Sequence, residues 1–412
     1  MKLRRIRVLM LITGVAAIAA GIYAETTVEK KTAARDTPAA AVERGLKWLV
    51  SVQGKDGGWG QDGGETSYVR QGERLESRGN DVANTAVAAE ALLHAGSNPT
   101  NGPYREPLQR AVRFILEHVQ DSPTEGLAVT DLMGTQIQRK LGPYIDTFLT
   151  SKLLAELDGN MGNAQANARV RQNLQKCVAK IENSQLRDGS WNIAGGWAPI
   201  LGTSMASQSL YLANAKGVAV KQTAMAKIDE YTKNTPAAQA SAGTMSGVGA
   251  GAGGGYGAGR YASTDGTHMG TVMASPAASA VAVASAGVTL YKSAQELEQL
   301  SRTEADRKKN AQQIGVIKSQ LSNARFVEGF GSIGGEEFFS YLNISDSLHR
   351  AGGPEWKKWN TEMTAKLLSL QNEDGTWAGH HCITGRVAVT SAAILMLVAD
   401  REPVLITRAK TN

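Results

Sequence analysis

Gln53-Gly-Lys-Asp-Gly-Gly-Trp59, Gln185-Leu-Arg-Asp-Gly-Ser-Trp191 and Gln371-Asn-Glu-Asp-Gly-Thr-Trp377 are one heptapeptide written three times. Each has Gln, an Asp three residues on, a Gly, a small residue and a Trp. Each follows an apolar stretch with helical spacing, Ala41–Val52, Asn173–Ser184 and Glu362–Leu370. After a loop of variable length each is followed by a run of small and apolar residues, Thr85–Gly96, Ser204–Gly217 and Val387–Leu397. The unit is therefore a helix, a sharp turn and a second helix packed back on the first. Glycine supplies the positive φ that ends the first helix. Asp56, Asp188 and Asp374 can accept bonds from turn amides. Trp59, Trp191 and Trp377 are expected to be buried between helix pairs, each with an indole N–H that needs a partner, for which Gln53, Gln185 and Gln371 are the near candidates.

Fainter copies fill the intervals. Leu108–Val119 and Tyr144–Gly159 make one pair, Met225–Lys233 and Val272–Gly287 another, and Ile314–Ala324 and Glu336–Gly353 a third. Six helix pairs result, over about 39–97, 105–159, 168–217, 221–288, 293–352 and 356–400. No long strand alternation competes, so the fold class is all-α. Small residues on the second helices suit an α/α toroid, six inner helices inside six outer ones, with an open solenoid as the alternative. Residues 236–265 are Gly-, Ala- and Ser-rich and read as a loop inserted in the fourth pair.

The flanks carry an address. Lys2, Arg4, Arg5 and Arg7 precede an apolar run from Val8 to Ala20 and a small-residue end at Ala24. Residues 1–24 therefore read as a signal peptide, with an uncleaved anchor as the alternative, and the body is expected outside the cytoplasm, periplasmic or secreted. Residues 25–38 form a polar linker, 39–400 the repeat domain and 401–412 a tail. Of 44 Lys and Arg against 38 Asp and Glu, four basic residues lie in that leader, so the body is nearly neutral. A nucleic-acid partner is not expected. Two cysteines exclude a disulfide scaffold and a four-cysteine zinc site. No second run approaches a membrane-spanning length.

The Gln/Asp/Gly/Trp turns resemble the QW-type repeats of squalene–hopene cyclases and the related repeats of protein prenyltransferase β subunits, together the terpenoid cyclase toroids. The resemblance covers most of the chain after residue 39. It implies a central cavity for an isoprenoid or another apolar small molecule. The family's active sites do not carry over. The chain has no Asp-x-Asp-Asp string for protonating an alkene, no Asp-x-Cys pair for zinc and no thioester Cys-Gly-Glu-Gln. Its aromatic residues, 6 Phe, 7 Trp and 10 Tyr, are few for a carbocation-lining cavity.

Chemistry is densest after the last turn, at His380-His381-Cys382. These three could hold Zn²⁺ or Cu⁺, or form a thiolate activated by histidine; a plain loop is the competing reading. Counting back 15 from Gly96 and Gly352, which end second helices, places Asp81 and Glu337 at helix starts. Arg386, four residues before Thr390 as Asp81 precedes Thr85, takes the same place in the last pair, all around one mouth. Acids there cap helices as readily as they catalyse. Arg386 opposes the dipole, so it should pair with an acid or hold an anionic ligand. Asp146 and His268 could join that mouth as ligand-binding groups. Two functions follow: a binding or interaction module, for an apolar ligand or a protein partner, that has lost the family chemistry; or an enzyme using His381, Cys382, Asp81 and Glu337.

Overall fold

Proline at the first helical position presets φ for a helix start, and α1 (Pro38–Ser51) opens on Pro38 and buries Val42, Leu46 and Leu49 along one stripe. The computed structural model describes residues 37–62, 68–70, 73–75, 79–193, 199–234, 286–328 and 333–401. The expected signal peptide, most of the linker, the glycine-rich stretch, His268 and residues 402–412 of the tail lie outside them.

The remaining elements are β1 (Tyr68–Arg70), β2 (Glu73–Leu75), α2 (Val82–His94), α3 (Arg105–Asp121), α4 (Gln136–Leu141), α5 (Ile145–Leu157), α6 (Ala164–Asn183) and α7 (Pro199–Ala215). They continue with α8 (Gln222–Asn234), α9 (Ala286–Leu300), α10 (Glu304–Lys309), α11 (Ala311–Leu321), α12 (Ala324–Val327), α13 (Gly335–Ala351), α14 (Gly353–Leu370) and α15 (Arg386–Leu397). The architecture is all-α apart from the β1–β2 antiparallel hairpin, in which Val69 faces Arg74. Three-residue strands are too short to leave an alternation in the sequence, which is why they were not expected.

Two kinds of helix alternate. In α1, α3 and α6 an apolar stripe is buried and the opposite side is solvated, as for Leu108, Ala111, Val112 and Ile115 of α3. In α2, α5 and α15 nearly every residue is buried, as helices surrounded by protein must be. Alanines let the backbones of α2 and α15 approach: Ala83, Ala86, Ala388 and Ala392 are all fully buried or nearly so. Contacts among the buried helices run from α2 to α5, α5 to α7, α7 to α9, α9 to α13, α13 to α15 and back from α15 to α2. The outer helices α1, α3, α6, α8, α11 and α14 each pack on this set.

One position in the cycle differs from expectation. The inner helix of the fourth pair was expected at 272–287, but the helix standing between α7 and α13 is α9, at Ala286–Leu300. Residues 272–285 lie outside the described set.

The three heptapeptides are superimposable in their bonding. Trp59, Trp191 and Trp377 are buried, and their indole N–H groups donate to the carbonyls of Leu49, Ile181 and Leu367 at 2.7–2.8 Å. Their backbone amides donate to Thr85, Thr203 and Thr390 of the following inner helix. Asp56, Asp188 and Asp374 accept from the amides of Gly58, Ser190 and Thr376. The glutamines do not serve the indoles. Each instead bonds its own turn, at Gly57, Gly189 or Gly375, and reaches a first-turn carbonyl of another outer helix. Gln53 reaches Pro107 of α3 at 2.9 Å, Gln185 reaches Ala224 of α8 at 3.0 Å, and Gln371 reaches Ala41 of α1 at 2.9 Å. The last turn thus holds the first helix as each earlier turn holds the next.

Candidate functional site at the start of the inner helices

Helices that begin side by side bring their free N–H groups and capping acids to one end. Here Asp81 is the N-cap of α2 and accepts from the Asn84 amide at 2.8 Å. Asp146, in the first turn of α5, accepts from the Ala83 amide at 3.1 Å and from Gln138 Nε2 at 2.7 Å. At the last turns of the same two helices His94 meets Glu156 at 2.7 Å, so α2 and α5 run in the same direction. The start of α13 pairs with the loop before α15 through the Gly335 amide and His381 carbonyl, at 3.3 Å. Gln136, which opens α4, accepts from the Thr384 and Gly385 amides, both at 3.0 Å. Asp81, Asp146, Glu337 and the 380–386 loop therefore share one end of the inner helices.

The acids there differ in role. Asp81 is buried and Asp146 lies near it; burial and that like charge raise its carboxyl from 3.8 to about 7. Burial likewise raises Asp146 to about 6, against the hydrogen bond from Gln138. Both oxygens of Asp81 are bonded within α2, to the Asn84 amide and side chain. This is the capping arrangement. Glu337 closes a capping interaction of its own, accepting from the Gly334 amide at 2.8 Å. Arg386 pairs with acids, as its unfavourable place in the dipole suggested: Nε lies 3.2 Å from Asp62 and Nη1 3.1 Å from Asp374. Its guanidinium also stands over the Trp48 ring at 5.1 Å. Asp62, which follows the first repeat turn, was not singled out in the sequence.

The concentrated chemistry lies one residue from where it was sought. Glu336, Glu337's neighbour, is fully buried, and neither of its carboxylate oxygens accepts a hydrogen bond. One ligand atom each from Glu336, His381 and Cys382 lies within 4.8 Å of the other two, with His381 Nδ1 3.5 Å from Glu336 Oε1. His380 is exposed and outside this group, so the three adjacent residues His380, His381 and Cys382 do not form the cluster. Adjacent side chains diverge; a carboxylate from the next helix start completes the set instead.

The local backbone is built around these groups. Cys382 has φ 60, a left-handed conformation unusual for a residue with a side chain. A Cβ at Gly334 would lie 2.6 Å from His381 Nδ1, so only glycine leaves room for the imidazole. A Cβ at Gly379 would meet the Ile383 carbonyl at 2.1 Å. Burial, then the Glu336 charge, pushes the Cys382 thiol well above its ordinary range. Both effects favour the protonated thiol over the thiolate.

Polar side chains also bond between buried helices that are not neighbours in the cycle. Asn343 of α13 bonds Gln208 and Ser204 of α7, at 3.1 and 3.3 Å, although α9 stands between these helices in the cycle. No helix of the described residues is long and apolar enough to cross a membrane. No model of a known protein family matches the chain.

Proposed function

We propose that this protein is an exported α/α toroid of six helix pairs, akin to the squalene–hopene cyclase and prenyltransferase repeat proteins, that binds its ligand at a zinc centre formed by Glu336, His381 and Cys382. The observation that carries the site is the fully buried Glu336 carboxylate, with one ligand atom each of an imidazole and a thiol within 4.8 Å of it. An ionised carboxylate in that position is costly unless a cation compensates it. Support for the closed architecture comes from the cycle of inner-helix contacts and from Gln371, which reaches Ala41 as Gln53 reaches Pro107. Support for export is the basic, then apolar, leader read from the sequence.

The donor set fits zinc. Carboxylate oxygen, imidazole nitrogen and thiolate sulfur are its usual ligands, about 3.5 Å apart around a tetrahedral ion. The positions found here need only a small contraction. Bound zinc would favour the Cys382 thiolate, and with three protein ligands it would leave one coordination position for an oxygen, nitrogen or sulfur atom of a ligand. When bound, the ion supplies Lewis-acid polarisation of such an atom, and this open position is what favours the enzyme reading as the second one. Glu336 and His381 orient the centre from different elements; Glu337 and Asp81 stay caps.

Metal content and cobalt substitution of the purified full chain test the reading. One equivalent of zinc is expected, with a thiolate-to-cobalt charge-transfer band after exchange. Glu336→Gln and Cys382→Ser should each weaken binding at least tenfold, whereas His380→Ala should not. Stoichiometric zinc that survives Cys382→Ser, or no zinc at all, would overturn it.

A further inference from the structure

A second group of polar side chains lies at the opposite end of the inner helices. Glu336 opens α13, and Arg350 lies in its last turn, about 20 Å further along the axis at 1.5 Å per residue. Just past the end of α9, Arg302 is buried with its guanidinium on the Tyr211 ring of α7, 3.5 Å from the centroid. Two of its nitrogens bind Glu298, Nε at 2.9 Å and Nη2 at 2.7 Å, and Nη2 also contacts Ser207. Arg350 comes within 3.8 Å of the same Glu298 and donates to Ser347 at 3.3 Å. Two guanidinium groups thus converge on one carboxylate.

The donors outnumber their acceptors. Arg302 Nη1, Arg350 Nε, Gln295 Nε2 and Gln299 Nε2 are all buried and bond nothing; among the buried acceptors of these four residues, Gln299 Oε1 alone is idle. Gln295 and Gln299, four residues apart, lie on one face of α9, and Arg302 follows just past its end. The opposite face of α9 carries Leu290, Ala294 and Leu297, packed into the core. Buried donors are almost always bonded, because each unmade bond is a net loss. Four of them together match a group that only accepts.

We propose that this face binds a small oxyanion, a phosphate or a carboxylate group, through Arg302, Arg350, Gln295 and Gln299. Glu298 and Tyr211 fix the Arg302 plane, leaving Nη1 for the anion, and the two glutamine amides supply neutral donors that hold an oxyanion without repelling Glu298. The site is separate from the Glu336 centre and stands whether or not zinc binds there.

Two measurements on the purified full chain decide it. Small anions released on denaturation are quantified by ion chromatography, and thermal midpoints are recorded with sodium phosphate or sodium acetate against sodium chloride of equal ionic strength. We expect either one equivalent of released oxyanion or a saturable rise in midpoint. Phosphate and acetate, run separately, distinguish a phosphoryl from a carboxylate ligand. Gln299→Leu and Arg350→Gln should each weaken the response at least tenfold. Less than a tenth of an equivalent released, with no rise beyond chloride, overturns the proposal. So does an unchanged response in both variants. Gln299→Leu adds a check of sign: without an anion, replacing an idle buried amide by an apolar group should raise the midpoint.

Discussion

Replacing Gln371 by Leu removes the bridge between the last repeat turn and the first helix while keeping the side chain's bulk. Three hydrogen bonds go with it. Nε2 donates to Gly375 and to Ala41, each at 2.9 Å, and Oε1 accepts from the Arg44 guanidinium. Two neutral bonds at about 1 kcal/mol and one charged bond at about 1.5 kcal/mol give a loss of roughly 3 kcal/mol after allowing for partial exposure. For a folded body of roughly 350 residues this lowers the thermal midpoint by about 4 °C. The loss should also be local. Hydrogen exchange followed by mass spectrometry should find α1 (Pro38–Ser51) opening faster than in wild type, with α3 and α8 unchanged. Gln53→Leu should instead expose α3, since Gln53 reaches Pro107 and accepts from Arg110. If α1 keeps its protection in Gln371→Leu, the glutamine is not what ties the chain's first helix to its last turn, and the reasoning fails.

Glycine substitutions separate backbone strain from crowding. Gly375 and Gly352 both have positive φ, 87 and 65, but a Cβ at Gly375 would lie 2.8 Å from Arg44 Cβ, whereas at Gly352 it would meet nothing within 4 Å. Denaturant titration should show Gly352→Ala costing about 1–3 kcal/mol for its φ 65, ψ −165 conformation alone, and Gly375→Ala distinctly more; equal losses would contradict the docked geometry. The buried pair Asp81 and Asp146 gives a pH signature. Their carboxyls are raised from 3.8 to about 7 and about 6, so the native state holds protons that the unfolded chain releases, and this contribution to stability falls as pH rises from about 4 to about 7. Relative to wild type, Asp81→Asn should gain stability across that interval; a difference that stays flat from pH 4 to 8 would refute the shared burial.

The repeat turns were legible because their chemistry is local: Gln, Asp, Gly and Trp each satisfy a bond within ten residues, and the spacing of those bonds is fixed. Helix pairing was legible for the same reason wherever a turn marked it. The fourth inner helix was missed because burial is not the same as apolarity. Lys292, Gln295, Glu296 and Gln299 look like the solvated face of an outer helix, yet all four are buried. The alanine-rich stretch at 272–287 had the composition expected of an inner helix and drew the assignment there. Glu336 was missed by one residue. Alignment on terminal glycines selects the position equivalent to Asp81, which is the capping position, and Glu337 indeed caps. The residue beside it turns toward His381 and Cys382, and no count along a single helix reveals a partner on another loop. Asp62 was invisible for a similar reason, since its bond to Arg386 spans 324 residues of sequence.

A cycle of helices has neither a first nor a last member. Because Gln371 holds α1 in the manner of the internal turns, the point at which the polypeptide is cut open is incidental to the packing. In the proposed toroid the sixth interface forms between parts already tethered, so its closure draws on a high effective concentration rather than on encounter between free molecules. A permuted chain, joined by a linker from Arg401 to Pro38 and opened between the exposed Thr100 and Asn101, should rebuild the same set of contacts, whereas deleting one whole pair should leave two surfaces with no mate.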